Sequence, residues 1–101
     1  MRVKFRRTGG FVPTAISAEI DTDNCPPEEA TRLKELVESS GVMYMQSAHV
    51  KGACDVWLYH LEIDKDGLVK RLNFDHISVP EKARPLIEFL AAHSKSMFGD
   101  D

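Results

Sequence analysis

Cysteine is scarce in this chain, long apolar runs are missing, and neither sign of charge dominates. Each shortage removes a class of protein. Only Cys25 and Cys54 are present, too few for a disulfide framework or an all-cysteine zinc site. In a reducing compartment the pair is expected as free, buried thiols. No apolar stretch approaches the roughly 20 residues that span a bilayer, which leaves no membrane role. A net charge of −3 without an acidic or basic block offers no footprint for nucleic acid. Arg2, Lys4, Arg6 and Arg7 make the start locally basic, and they read as the solvated face of a strand. The same stretch lacks the apolar core of a signal peptide, so a cytoplasmic location is expected.

What is present is ordinary globular material. At 101 residues, 43% apolar and 29% charged, the chain reads as one domain, 1–101, able to bury a core without staples. Residues 2–7 alternate, with Val3 and Phe5 on one face and Arg2, Lys4 and Arg6 on the other. Residues 15–21 repeat the alternation, and Gly9, Gly10 and Pro13 lie between the two, predicting a hairpin with an extended tip. Pro26-Pro27-Glu28-Glu29 opens a helix, since proline suits a first turn and the glutamates complement the helix dipole. Leu33, Leu36 and Val37 form its apolar stripe, and Gly41 is suited to a left-handed cap.

Residues 42–53 carry no clear period. From Asp55 to Ile63 both faces are largely apolar, which predicts a central strand covered on both sides, at least in part. Asp66-Gly67 turns the chain, and Leu68 to Phe74 return as the second arm of a hairpin. Pro85 within the last apolar stretch predicts one loose turn at 80–84 and then a helix carrying Leu86, Ile87, Phe89 and Leu90. The fold class is therefore α+β: a four-stranded antiparallel sheet in β-β-α-β-β-α order, with helices packed on one face.

Catalytic and metal signatures fail in turn. Placing Gly67 at the sixth position of a calcium loop puts Glu62, Asp64 and Asp66 in acidic slots, but Asn73 falls where a bidentate glutamate is required. The histidines at 49, 60, 76 and 93 have no metal-ligand spacing, and neither HExxH nor CxxC occurs. Asp75-His76 is the nearest approach to an acid–base pair, but strand neighbours point to opposite faces unless the chain bends. Gly9-Gly10 lacks a phosphate-cradling pattern. No serine or cysteine has a convincing partner set. The reading is a non-enzyme with no catalytic residue, no metal ligand and no cofactor.

The order of elements carries a resemblance. Arg2-Val3-Lys4-Phe5-Arg6-Arg7-Thr8-Gly9-Gly10-Phe11, then Asp21-Thr22-Asp23, Pro26-Pro27-Glu28-Glu29-Ala30 and Leu33…Leu36-Val37, closely resembles the emfourin family. Arg84-Pro85-Leu86-Ile87-Glu88-Phe89-Leu90 is similar to the family's closing helix. These are small bacterial proteins that inhibit thermolysin-like metallopeptidases such as protealysin. Thr8 stands where relatives tend to have serine, Val12-Pro13 where they tend to have Ala-Gly, and Cys25 where they tend to have an aliphatic residue.

The resemblance implies a thermolysin-like metallopeptidase as protein partner, and the free chain is expected to be a monomer. Such an enzyme holds zinc in a long cleft and accepts bulky apolar side chains just after the scissile bond. One candidate contact is the tip Thr8, Gly9, Gly10, Phe11, Val12 and Pro13, with Phe11 as apolar anchor and Pro13 holding the loop against cleavage. The competing reading folds Phe11 back onto the sheet and leaves the glycines only to turn the chain. A second candidate joins Asp23 and Asn24 to Glu28 and Glu29, whose carboxylates can reach zinc or basic groups in a cleft. The same residues also serve as helix-start chemistry. The acidic tail Gly99-Asp100-Asp101 is a third. The alternative function is a non-catalytic interaction module, an adaptor or a maturation partner.

Overall fold

Period-two alternation puts Val3 and Phe5 of β1 (Arg2–Gly9) into the core and leaves Arg2, Lys4 and Arg6 outside it. The computed structural model describes residues 1–9, 15–48 and 56–96. Within these, β2 (Ile16–Asp21) and β3 (Trp57–Lys65) flank β1, both antiparallel to it. β4 (Leu68–Asp75) pairs with β3, and β5 (Lys95–Ser96) pairs with β2, so the sheet runs β4-β3-β1-β2-β5. The four long strands and two α-helices follow the expected chain order. β5 is an addition, and two residues are too few to show a period.

α1 (Pro27–Ser40) begins with proline in its first turn and Glu28 and Glu29 beside it, without a side-chain cap at Pro26. Ala30, Leu33, Leu36 and Val37 form its buried stripe. It ends at Gly41, whose φ of 72° is left-handed, as a glycine cap requires. A 3₁₀ turn, Glu81–Ala83, precedes α2 (Arg84–Ala92), which matches the division expected from Pro85. α2 buries Leu86, Ile87 and Leu90.

Register aligns the core. Val3 lies opposite both Ile20 and Ile63, and Phe5 lies opposite Leu61. Leu72 and Phe74 of β4 join them, and Leu33, Val37, Leu86 and Leu90 close the same cluster from the helices. Each such side chain contributes roughly 1.5–3 kcal/mol when fully buried. The surface ion pair between Arg71 and Glu62, at 3.0 Å, is worth ~0–1 kcal/mol by comparison. Apolar packing sets the stability.

The expectation that β3 is covered on both sides is corrected. Leu61 and Ile63 enter the core, whereas the opposite face carries Leu58, His60, Glu62 and Asp64 beside Lys4 and Arg6 of β1. Val56 and Leu58, at the start of the segment, made that face look more apolar than it is. Cys25 is half-buried and has no disulfide, instead of being a buried thiol; Cys54 lies outside the described residues.

The segment that showed no period has a definite role. After the 3₁₀ turn Val42–Tyr44, Ala48 N–H donates to the Asn73 carbonyl at 3.0 Å, and Asn73 N–H donates to Ser47 Oγ at 2.9 Å. These bonds cover part of the outer edge of β4, a backbone row that would otherwise be open to pairing.

Candidate functional site

The sheet has two ends, separated by the length of β1. Arg2 pairs with Asp21 at one, and Arg7 pairs with Ile16 near the other. At ~3.3 Å per residue, Arg2 and Gly9 lie about 20 Å apart. The two predicted contact groups therefore occupy opposite ends. Thr8 and Gly9 are at the second, while Asp23, Asn24, Glu28 and Glu29 are beyond the first. Gly10, Phe11, Val12 and Pro13 lie outside the described residues, as do the acidic tail and His49.

Gly9 explains one glycine of the pair. It closes the β1–β3 ladder opposite Trp57 with φ +91°. A Cβ on Gly9 would lie 2.6 Å from the Val56 carbonyl oxygen. Both the left-handed conformation and this approach of backbone to backbone demand glycine.

Beside Gly9 stands a cluster that the sequence did not announce. The Arg7 guanidinium lies 4.1 Å from the Trp57 ring centroid, a cation–π contact. The His76 ring also meets Trp57 edge-on at 5.9 Å. The Trp57 backbone N–H donates to His76 Nδ1 at 2.9 Å, and the His76 backbone N–H donates to the Trp57 carbonyl at 3.0 Å. Arg84 reaches the His76 carbonyl at 3.4 Å from the start of α2. Tyr59, next to Arg7 across the ladder, packs on Phe5 with ring centroids 6.0 Å apart. Burial pushes the Tyr59 hydroxyl above its ordinary pKa of 10.0, and the charges of Arg7 and Arg84 pull against that shift.

Asp75 and His76 do not form an acid–base pair. The buried Asp75 carboxylate accepts the backbone N–H groups of Ile77 and Ser78, at 3.0 and 2.7 Å. This closes the turn that delivers His76 to Trp57.

The far end is organised by Asp21. Its carboxylate accepts Asp23 N–H and the Asn24 side-chain amide, both at 3.0 Å, and Arg2 approaches at 3.6 Å. The Asp23 backbone bond is the main cause holding Asp21 below its ordinary 3.8, with the Asn24 bond and the Arg2 charge adding to it. Glu29 faces His93 at 3.0 Å, linking the start of α1 to the end of α2. Asp23 and Glu28 are exposed.

A depressed carboxyl pKa contributes stability above the unfolded-state value, and that contribution disappears as pH falls through the folded one. Asp21→Asn is therefore expected to lower the urea midpoint at neutral pH. The gap from wild type should close as the solution is acidified below about pH 4, where the unfolded-state carboxylate protonates. Paired urea titrations at several pH values measure the gap.

Among the described residues, no group of three or more His, Cys, Asp or Glu side chains could hold a metal ion. The helix-free sheet face forms an open depression of about 670 Å³, lined by Arg6, His60 and Lys95 among others. His60 Nδ1 lies 2.6 Å from Asn73 Oδ1 there, so that ring is held by a neutral amide and not by a carboxylate that would prime it for base catalysis.

No curated protein and no solved structure matches the chain. A family model does, over residues 5–91, from Phe5 of the central strand to Ala91 in the last turn of α2. With that span covering nearly all of the sheet and both helices, the chain belongs to the emfourin family.

Proposed function

We propose that the protein is a reversible, stoichiometric inhibitor of thermolysin-like zinc metallopeptidases, and that the Gly9 end of its sheet enters the target's cleft. The observation that carries the reading is the emfourin match over residues 5–91, because emfourins resemble one another as inhibitors of that enzyme class. The geometry of Gly9 supports the choice of end. Its left-handed backbone and its approach to the Val56 carbonyl define how the chain leaves β1. A loop launched from a fixed point loses less entropy on docking.

In this reading Thr8, Gly9, Gly10, Phe11, Val12 and Pro13 form the inserted segment. Phe11 fills the apolar pocket, and Pro13 slows cleavage of the Gly10-Phe11 bond. Asp23, Asn24, Glu28 and Glu29 are assigned to the entry of α1, in keeping with the bonds gathered on Asp21. No protein ligand to the zinc is invoked.

The test is a titration of the purified protein into thermolysin acting on a small peptide substrate. Inhibition that saturates near one equivalent supports the proposal. Absence of inhibition across thermolysin-like enzymes would leave a non-catalytic adaptor or maturation partner. Phe11→Ala is expected to weaken inhibition by ~2 kcal/mol, about 30-fold, as a hot-spot anchor does. An unchanged inhibition constant in a folded variant would remove Phe11 from that role.

A further inference from the structure

Trp57 is the chain's one tryptophan, and it is 41% exposed although its neighbours Tyr59 and Leu61 lead directly into the core. Partly exposed tryptophan is characteristic of interfaces, where one end of the side chain is apolar and the other wet. What covers Trp57 in part is cationic and aromatic: Arg7 over one side at 4.1 Å and His76 at its edge. No carboxylate of the described residues lies within ion-pairing distance of Arg7. Arg84, anchored on the His76 carbonyl, brings a second guanidinium to the same side of the sheet. Glu81 approaches Arg84 at 3.2 Å, but it is almost wholly exposed and so holds that charge weakly.

We propose that Arg7, Trp57, Tyr59, His76 and Arg84 form a docking patch for a carboxylate-bearing segment of the partner protein, beside the Gly9 end of the sheet. The proposal rests on the inhibitor reading for the partner's identity, but not for the chemistry of the patch. Charge complementarity selects the occupant. Two guanidiniums, whose one ion pair among the described residues is that of Arg84 with the exposed Glu81, favour an acidic side chain, and arginine's fork suits a carboxylate in two-point contact. The ring of Trp57 and the hydroxyl of Tyr59 supply the amphipathic surround that hot spots use, and Trp, Tyr and Arg are the residue types enriched there. The contacts among Arg7, Trp57 and His76 hold these groups before any partner arrives, so little side-chain entropy is lost on docking. The exposed Ile77, in the turn closed by Asp75, adds an apolar rim.

The sole tryptophan makes the patch its own reporter. Hexaglutamate titrated into the full-length protein at low salt is expected to shift Trp57 emission saturably, while hexaglutamine does not. Apparent affinity should fall several-fold between 50 and 200 mM salt, as an exposed ionic contact does (about a 10 Å Debye length at 0.1 M). Arg7→Gln/Arg84→Gln should abolish the shift without altering the circular dichroism spectrum. In the peptidase assay the same double variant is expected to inhibit roughly tenfold less well, mainly through slower, less salt-sensitive association.

Equal responses to the two peptides, or a response that survives in the double variant, would overturn the patch. A double variant that inhibits as well as wild type would overturn its docking role while leaving the inhibitor reading intact. Conversely, a hexaglutamate response from a protein that inhibits no peptidase would retain the carboxylate site and dismiss that reading. Should the double variant misfold, Trp57→Phe replaces it in the inhibition arm, with loss of inhibition supporting the patch and full retention opposing it.

Discussion

Phe5→Ala is expected to lower the unfolding free energy by roughly 3–5 kcal/mol, the range for deleting a buried phenylalanine side chain. Phe5 is 2% exposed and sits mid-strand in β1, opposite Leu61 on one side and Ala18 on the other. Ala18 is too small to fill the space, so collapse around the hole is limited. The ring also supports Tyr59 from below, so the loss would propagate into the Arg7–Trp57 cluster. Against a typical total of ~5–15 kcal/mol, a deletion of this size removes roughly a fifth of the stability or more. Thermal unfolding is expected to move down by ~12–40 °C, taking ~4–8 °C per kcal/mol in a domain of this length. Tyr44→Ala is the contrast. Tyr44 is 92% exposed, and its removal should stay within about 0.5 kcal/mol of wild type. Similar losses from the two variants would contradict the placement of the core.

Gly9→Ala is expected to cost roughly 2–4 kcal/mol, because two penalties act together: a left-handed backbone and a steric overlap. The three described glycines separate these terms. Gly41 and Gly67 also have positive φ, at +72° and +81°, but a Cβ at either would meet nothing within 4 Å. Alanine at those sites should cost only the conformational term, about 1–2 kcal/mol. At Gly9 the added Cβ meets the Val56 carbonyl oxygen at 2.6 Å, and a backbone oxygen cannot swing aside as a side-chain tip can. Urea midpoints of the three alanine variants provide the measurement. An excess loss at Gly9 supports the close approach, and equal losses at all three would show that β3 yields. Inhibition should fall with stability at Gly9 and not at Gly67, since only Gly9 sets the exit of the proposed inserted segment.

Much of this architecture was legible because short-range patterns carried it. Val3 and Phe5 alternate with arginine and lysine, so β1 declared its buried face. Pro27, Glu28, Glu29 and Gly41 marked both ends of α1, and Asp66-Gly67 marked a two-residue hairpin. Pro85 divided a 3₁₀ turn from α2 correctly because proline forbids the bond that would join them.

What escaped the reading was pairing. Arg7 beside Trp57, and Trp57 bonded to His76, depend on the register of three strands, and register is not encoded in any one of them. The same gap hid the edge bonds of Ser47 and Ala48 to Asn73. Their segment has no period of its own because its partner is backbone. β3 misled for a different reason: Trp57, Leu58 and Tyr59 are apolar by composition, yet Trp57 and Tyr59 lie at the margin of the core face and Leu58 on the opposite face. Residue type announced burial that position withheld.

The contact groups split the same way. Asp23, Asn24, Glu28 and Glu29 were legible as helix-start chemistry; Asp23 and Asn24 bond to Asp21, and Glu29 pairs with His93. Gly9 was legible as a turn residue, but its reason, the Val56 carbonyl, comes from a strand nearly fifty residues away. Arg7 was read as one of four cations on a solvated strand. Its position on the core side of β1, over an indole, sets it apart from Arg2, Lys4 and Arg6.

The central claim is that the Gly9 end of the sheet, and not the Asp21 end, faces the peptidase. Backbone amide chemical shifts, recorded while unlabelled thermolysin is added to the isotopically labelled protein, test it most directly. The account predicts the largest changes at Thr8, Gly9, Trp57 and His76, with Asp23, Asn24, Glu28 and Glu29 nearly still. Changes confined to those last four residues would contradict it.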